Sequence, residues 1–210
     1  MKRIEIQPAI LFGIVFLCFL FLENCIKKSN KSEKVFQQTK ILFIQPYNDL
    51  PPQYSKRVYN QLLKLYPNII LNKAIKLPKN AFYGPRNRYR ADTLISVLKN
   101  ESPLNSITIG ITTKDISTTK GEIKDWGVMG LGYRPGNACV VSTFRLNKNE
   151  LESQLYKVCL HEIGHTQNLA HCTNGQCYMR NAEGKNHLDE LTSFCDKCAK
   201  KMRKSGWNVI

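Results

Sequence analysis

His161-Glu162-Ile163-Gly164-His165-Thr166-Gln167-Asn168-Leu169-Ala170-His171-Cys172 carries the pattern H-E-x-x-H, followed by a third histidine and a cysteine. On an α-helix, positions i and i+4 lie about one turn apart on the same face, so His161 and His165 present two imidazoles to one ion. Glu162 is rotated by about 100° from His161, which leaves its carboxylate beside the ion's open position, placed to take a proton and not to ligate. His171 joins the set only if the helix ends first, because six residues beyond His165 a continuous helix would aim it about 120° away. Asn168 is the expected stop: after glycine, asparagine best tolerates the left-handed backbone that ends helices. Three histidines and a water then make a tetrahedral catalytic zinc site.

Cys172 directly follows the third histidine, Cys177 comes five residues later, and Cys195-Asp196-Lys197-Cys198 supplies a C-x-x-C. Four thiolates suit a closed structural zinc with no position left for water, so two zinc ions are expected, one catalytic and one structural. Two disulfides are the alternative for an exported chain, although a C-x-x-C bridge closes a small loop and stabilises little. Cys139 and Cys159 have no metal-type partner at a useful spacing and read as small buried apolar residues.

Upstream, Ile41 to Ile44 reads as a strand. Tyr54, Val58, Leu62, Leu65 and Tyr66 recur at helical spacing up to Pro67, and 68–75 returns to a β-rich run, which together give a parallel β-α-β unit. Ala91, Leu94, Ile95 and Leu98 mark a second helix, and Ile107, Ile109 and Ile111 alternate along a strand with one wetter face. The glycine-rich 121–136 reads as a long irregular loop, and 138–146 as a further strand. Asn147 with Glu150 resembles a capping box opening the helix whose Leu151, Leu155 and Val158 lead into His161. Asp189 to Lys204 reads as a final helix carrying Cys195 and Cys198. The expected fold is α/β (α+β), a mixed twisted sheet with covering helices and a small C-terminal subdomain around the four cysteines. Arg86, Arg88 and Arg90 read as a solvated loop, and His187 as a surface residue.

The chain has 210 residues, 42% apolar and 22% charged, which excludes collagen, coiled coil and wholesale disorder. Lys2 and Arg3 precede an uninterrupted apolar or glycine run from 9 to 22, the shape of an export signal over 1–24. Cys25 follows Leu22-Glu23-Asn24 in the manner of a relaxed lipoprotein box and is a candidate for lipidation, with simple secretion the alternative. Residues 25–40 read as a flexible tether and 41–210 as one domain. A formal net charge of +15 attracts anionic surfaces of any kind. The export leader argues against nucleic acid as a partner. The expected protein is a monomer at the cell surface or in the periplasm, with anionic lipid near its basic face.

His161 to Cys172, then Cys177, Met179 and the Cys195/Cys198 pair, resemble the archaemetzincins, a family of zinc peptidases in the metzincin clan. The stretch Gly136-Asn137-Ala138 through Ser142, Arg145 and Leu146 resembles the strand before that family's active-site helix, so the similarity spans about 41–205. The resemblance implies His161, His165 and His171 on a catalytic zinc, Glu162 as general base, four cysteines on a second zinc, and Met179 in a turn beneath the first metal. The chain departs from the family at Asn168, where glycine is usual, and in carrying an export leader. The implied chemistry is peptide-bond hydrolysis by a zinc-bound water that Glu162 deprotonates, failing below about pH 6 as histidine ligands protonate. A peptide-binding surface lipoprotein without turnover is the rival reading. The 138–146 strand, next to the site, is the expected sheet edge on which an extended substrate pairs. Whether the enzyme is an endopeptidase or an aminopeptidase is left open by the sequence.

Overall fold

The structure, a computed structural model, describes residues 39–210. The expected leader over 1–24, Cys25 and 26–38 lie outside the described residues. Thr39 and Lys40 already belong to the folded body, because Tyr66 Oη donates to Lys40 O (2.5 Å) and Asn68 Nδ2 to Thr39 O (3.2 Å). Among the described residues no helix is long and apolar enough to cross a membrane.

β1 (Ile41–Pro46), α1 (Pro52–Leu63) and β2 (Ile69–Leu71) form the expected parallel unit, with Leu42 opposite Ile69. Pro52 opens α1, where its missing N–H costs nothing and its fixed φ suits a first helical turn. Short β3 (Phe82–Tyr83) and β4 (Arg88–Arg90) lead into α2 (Ala91–Glu101), whose first turn carries Asp92 at the favourable end of the helix dipole. β5 (Ser106–Thr112), β6 (Ile116–Lys120), β7 (Ile123–Val128), β8 (Gly130–Gly132) and β9 (Ala138–Ser142) follow. The main sheet has the order β2-β1-β5-β9-β8, parallel except for β8, and β3-β4-β6-β7 form a second sheet.

The main sheet is covered on both faces. Leu42, Ile44, Ile107, Ile109, Ile111, Cys139 and Val141 pack with Val58 and Leu62 of α1 and with Leu155 and Leu160 of α3 (Leu151–Thr166). On the other face, Ala138 and Val140 pack with Leu94, Ile95 and Leu98 of α2. The wetter face expected of β5 is therefore buried: α2 lies so close that a Cβ on Gly110 would stand 2.7 Å from Leu98 Cδ1. Cys139 and Cys159 are fully buried, as their isolation in sequence implied.

Five local expectations are corrected. The glycine-rich 121–136 is not one irregular loop; it holds β7 and β8, because Thr118 pairs with Trp126 in a hairpin and Leu131 with Val140. The 138–146 strand stops at Ser142, whose hydroxyl donates to Lys114 O (2.5 Å) and accepts from Phe144 N (3.1 Å), turning the chain. Asn147 does cap, but through Asn149 N and at a single 3-10 turn, after which α3 begins at Leu151. The last helix, α4 (Asp196–Lys204), starts at the C-x-x-C and not at Asp189, so Cys195 is its N-cap. Arg88 and Arg90 lie on β4, where Arg88 pairs with Asp115 (2.9 Å) and Asp125 (3.1 Å), so this cluster is a structural ion-pair network and not a solvated loop.

Candidate metal centre and active-site cleft

α3 ends at Thr166, and Asn168 adopts φ +66°. Leu169 N donates to Gly164 O (3.0 Å) and Asn168 N to His165 O (2.9 Å), which satisfies the last carbonyls and turns the chain back. That reversal brings His171 to the other two imidazoles, with ring centroids 5.4 Å from His161 and 4.9 Å from His165. One ring nitrogen from each histidine falls within 4.8 Å of the others.

The donor chemistry fits a cation. His161 Nδ1 lies 2.7 Å from Tyr178 O and His165 Nδ1 2.9 Å from Leu169 O. A carbonyl oxygen only accepts, so each Nδ1 carries the hydrogen and each Nε2 is left with a bare lone pair. Those two Nε2 atoms face each other at 3.1 Å, an arrangement that repels unless a positive ion lies between them and His171. Burial, with His165 close by, lowers the His161 pKa to about 3, and burial lowers His165 and His171 as well, so all three are neutral donors at physiological pH.

Glu162 is 6% exposed and lies under β8. Burial raises its carboxyl to about 8, and a hydrogen bond from the Gly132 backbone N–H opposes that rise; a cation on the neighbouring imidazoles would oppose it further and favour the ionised carboxylate. β8 can lie this close only because it is glycine at both ends: a Cβ on Gly130 would stand 2.6 Å from Glu162 Cγ, and one on Gly132 2.6 Å from Glu162 O. Below the helix, Met179 is fully buried, and its Sδ would stand 2.4 Å from a Cβ on Gly164. Met179 also links the two clusters, since Cys172 N donates to Met179 O (2.8 Å) and Met179 N to Cys177 Sγ (3.5 Å).

Cys172, Cys177, Cys195 and Cys198 bring their sulfurs within 4.8 Å of one another, and all are thiols. Cys172 Sγ and Cys195 Sγ are 3.7 Å apart, far beyond the ~2.05 Å of a disulfide. Four sulfurs at about 2.3 Å from a tetrahedral ion would stand roughly 3.8 Å apart, so the spacing suits a metal and the disulfide alternative does not hold.

The cleft in front of the histidines has a volume of about 800 Å³. β8 forms one rim and the segment 180–191 the other. That second rim is clamped to α3: Gln154 Oε1 accepts from Asn186 Nδ2 (2.9 Å), Gln154 Nε2 donates to Asp189 Oδ1 (2.9 Å), and Lys157 Nζ donates to Leu188 O (2.9 Å). Sequence reasoning missed this clamp, the two β8 glycines and the carbonyls of Tyr178 and Leu169, none of which carries a spacing signal. His187 is not a plain surface residue; it lines the cleft, its ring pairing with Glu190 at 2.9 Å.

Residues 47–204 match the model of peptidase family M54. The chain belongs to that family. It is 32% identical over 149 residues to the archaemetzincin of Archaeoglobus fulgidus, covering 69% of this chain and 88% of that one. To the archaemetzincin of Haloquadratum walsbyi it is 29% identical over 169 residues, covering 74% and 95%. The crystal structure of the Archaeoglobus fulgidus archaemetzincin complexed with malonate superposes with a TM-score of 0.65 at 29% identity, over 76% of this chain and 98% of that one. The Methanopyrus kandleri archaemetzincin shares the fold, with a TM-score of 0.67 at 22% identity over 81% and 98%. As a member of M54 the chain is a zinc metallopeptidase acting on peptides or proteins.

Proposed function

We propose that His161, His165 and His171 hold the catalytic zinc, that Glu162 is the general base, and that Cys172, Cys177, Cys195 and Cys198 hold a second, structural zinc with Met179 packed between the two sites. The observation that carries this reading is the pair of facing Nε2 lone pairs, fixed by backbone carbonyls, with a buried carboxylate next to them. Zinc supplies Lewis acidity there, lowering the pKa of a water and polarising the scissile carbonyl oxygen. Glu162 takes the proton of the attacking water at its carboxylate and hands it to the leaving amine. The Gly132 N–H fixes which way that carboxylate faces, and the packing of β8 on α3 keeps bulk water from its buried side.

An extended substrate pairs with β8. The sequence pointed instead to the 138–146 strand, but β9 is interior, hydrogen-bonded to β5 and β8 on its two sides, and β8 is the edge of the main sheet that lines the cleft. A Cβ on Gly184 would stand 3.5 Å from Trp126 Cζ2, which brings β7 near the 180–191 rim at that end.

The domain plan is a leader over 1–24 and a tether from Cys25 to a folded peptidase that begins at Thr39. Cys25 is the lipidation candidate, and the protein acts as an exported monomer near anionic lipid. The leader pattern and the charge of +15 support this placement.

The decisive experiment is metal content and a peptide-library digest on the wild type and on Glu162→Gln. The variant should keep both zinc ions and lose roughly 10²–10⁴-fold in kcat. Full hydrolysis by a zinc-loaded Glu162→Gln would remove Glu162 from its role.

A further inference from the structure

The cleft carries more positive than negative charge, and the charges differ in how they are satisfied. Arg145 and Arg180 line it but are spent on Asp115 and Glu190. Asp92 accepts from Arg90, Thr118 and Tyr133. Arg134, Lys120, Lys185 and Glu183 also line the cleft, all are exposed, and none forms an ion pair among the described residues. Lys185 and Glu183 share the 180–191 rim, where their charges offset, which leaves Arg134 and Lys120 as the uncompensated cations.

Both side chains are presented by anchored backbone. Arg134 lies between Tyr133, whose hydroxyl donates to Asp92 (2.9 Å), and Gly136, whose N–H donates to Thr166 O (3.3 Å) at the end of α3. Lys120 Nζ stands 4.6 Å above the Trp126 ring, and Trp126 in turn rests on Gly184. Both side chains line the same cleft as His171. A guanidinium and an ammonium that line the cleft without an ion-pair partner are half of a charge-assisted pair.

We infer that Arg134 and Lys120 determine specificity by receiving a carboxylate of the peptide in the cleft. The inference rests on the peptidase reading above. The carboxylate has two sources, an Asp or Glu side chain or a free C-terminus, and the chemistry at Arg134 is the same for both.

The test uses the full-length, zinc-loaded protein and four labelled peptides of equal length, in which one position is Glu or Gln and the C-terminus is a free acid or an amide. kcat/KM is measured for the wild type, Arg134→Ala, Lys120→Ala and Arg134→Glu, with zinc content and circular dichroism as checks on folding. Peptide dissociation constants are measured by fluorescence anisotropy in the Glu162→Gln background. The wild type should favour a carboxylate-bearing peptide by about tenfold, in keeping with a hydrogen bond to a charged group. The ratio should fall towards one in each alanine variant, invert in Arg134→Glu, and shrink as salt is raised. Preference that follows Glu over Gln assigns a side chain, and preference that follows acid over amide assigns the C-terminus. Ratios near one in the wild type, or unchanged in the Arg134 and Lys120 variants, overturn the inference. If no peptide is cleaved the catalytic reading fails by itself, and the dissociation constants still decide this one.

Discussion

Asn168 is the residue on which the histidine set turns. At φ +66° an ordinary L side chain costs about 1–2 kcal/mol, asparagine somewhat less, and glycine nothing. Asn168→Gly should therefore keep full zinc content and at least wild-type stability. Asn168→Val should lower the melting temperature and weaken the metal bound by His171, read as zinc stoichiometry after dialysis; equal zinc retention in the two variants would contradict the role given to the turn. Protonation is a second residue-scale matter. Burial lowers the three histidine pKa values, so the neutral rings persist to lower pH than the ~6.5 of an exposed imidazole, and protons displace metal only further into acid. Cobalt substituted at the histidine site should keep its visible absorption at pH 6, with the thiolate site tracked separately by its sulfur charge-transfer bands. Half-loss of the imidazole-held cobalt above pH 6.5 would show that the shift has the wrong sign.

At the scale of the element, the contact between β8 and α3 positions the chemistry. Gly132 gives its N–H to Glu162 and has no room for a Cβ, which would stand 2.6 Å from Glu162 O. Gly132→Ala should push the strand off the helix and cost at least about tenfold in kcat/KM, since small misplacements of reacting groups are expensive. Circular dichroism and the zinc held by the four cysteines should be unchanged. An alanine variant with wild-type kinetics would mean that β8 is not the substrate-side rim. Gln154 shows the same logic at the opposite rim: one buried amide bonds Asn147, Asn186 and Asp189, so the first turns of α3 and the 186–189 segment move as a unit.

Across the whole molecule, the four-cysteine cluster gathers the last forty residues, tying the segment just after His171 to the start of α4. Leu188, Leu191, Phe194, Ala199, Met202 and Trp207 join the main core, and Trp207 stacks on Tyr66 at 4.6 Å, but the chain between them is short of regular structure. A metal in the thiolate set is therefore expected to stabilise the fold directly. Cys198→Ser should lose one zinc equivalent and destabilise by on the order of several kcal/mol, seen as a lower thermal midpoint, while a mild chelator that strips only the histidine site should abolish hydrolysis without unfolding. Unchanged thermal stability in Cys198→Ser would reduce the cluster to an ornament of the sequence.

The sequence by itself determined which histidines and cysteines the fold gathers into two clusters, and most of the elements. H-E-x-x-H, the turn at Asn168, His171 and the four cysteines are legible because helix periodicity and ligand spacing are local, and the parallel β-α-β start follows from periodicity alone. Only the tertiary structure decided the rest. The glycines of β8 look like loop residues until the strand is seen lying on Glu162, and β9 looks like an edge until its neighbours are known. Arg88 and Arg90 look solvated until Asp115 and Asp125 are brought to them from elsewhere in the chain. In each case the partner is distant in sequence, and a residue's role is set by what folding places against it.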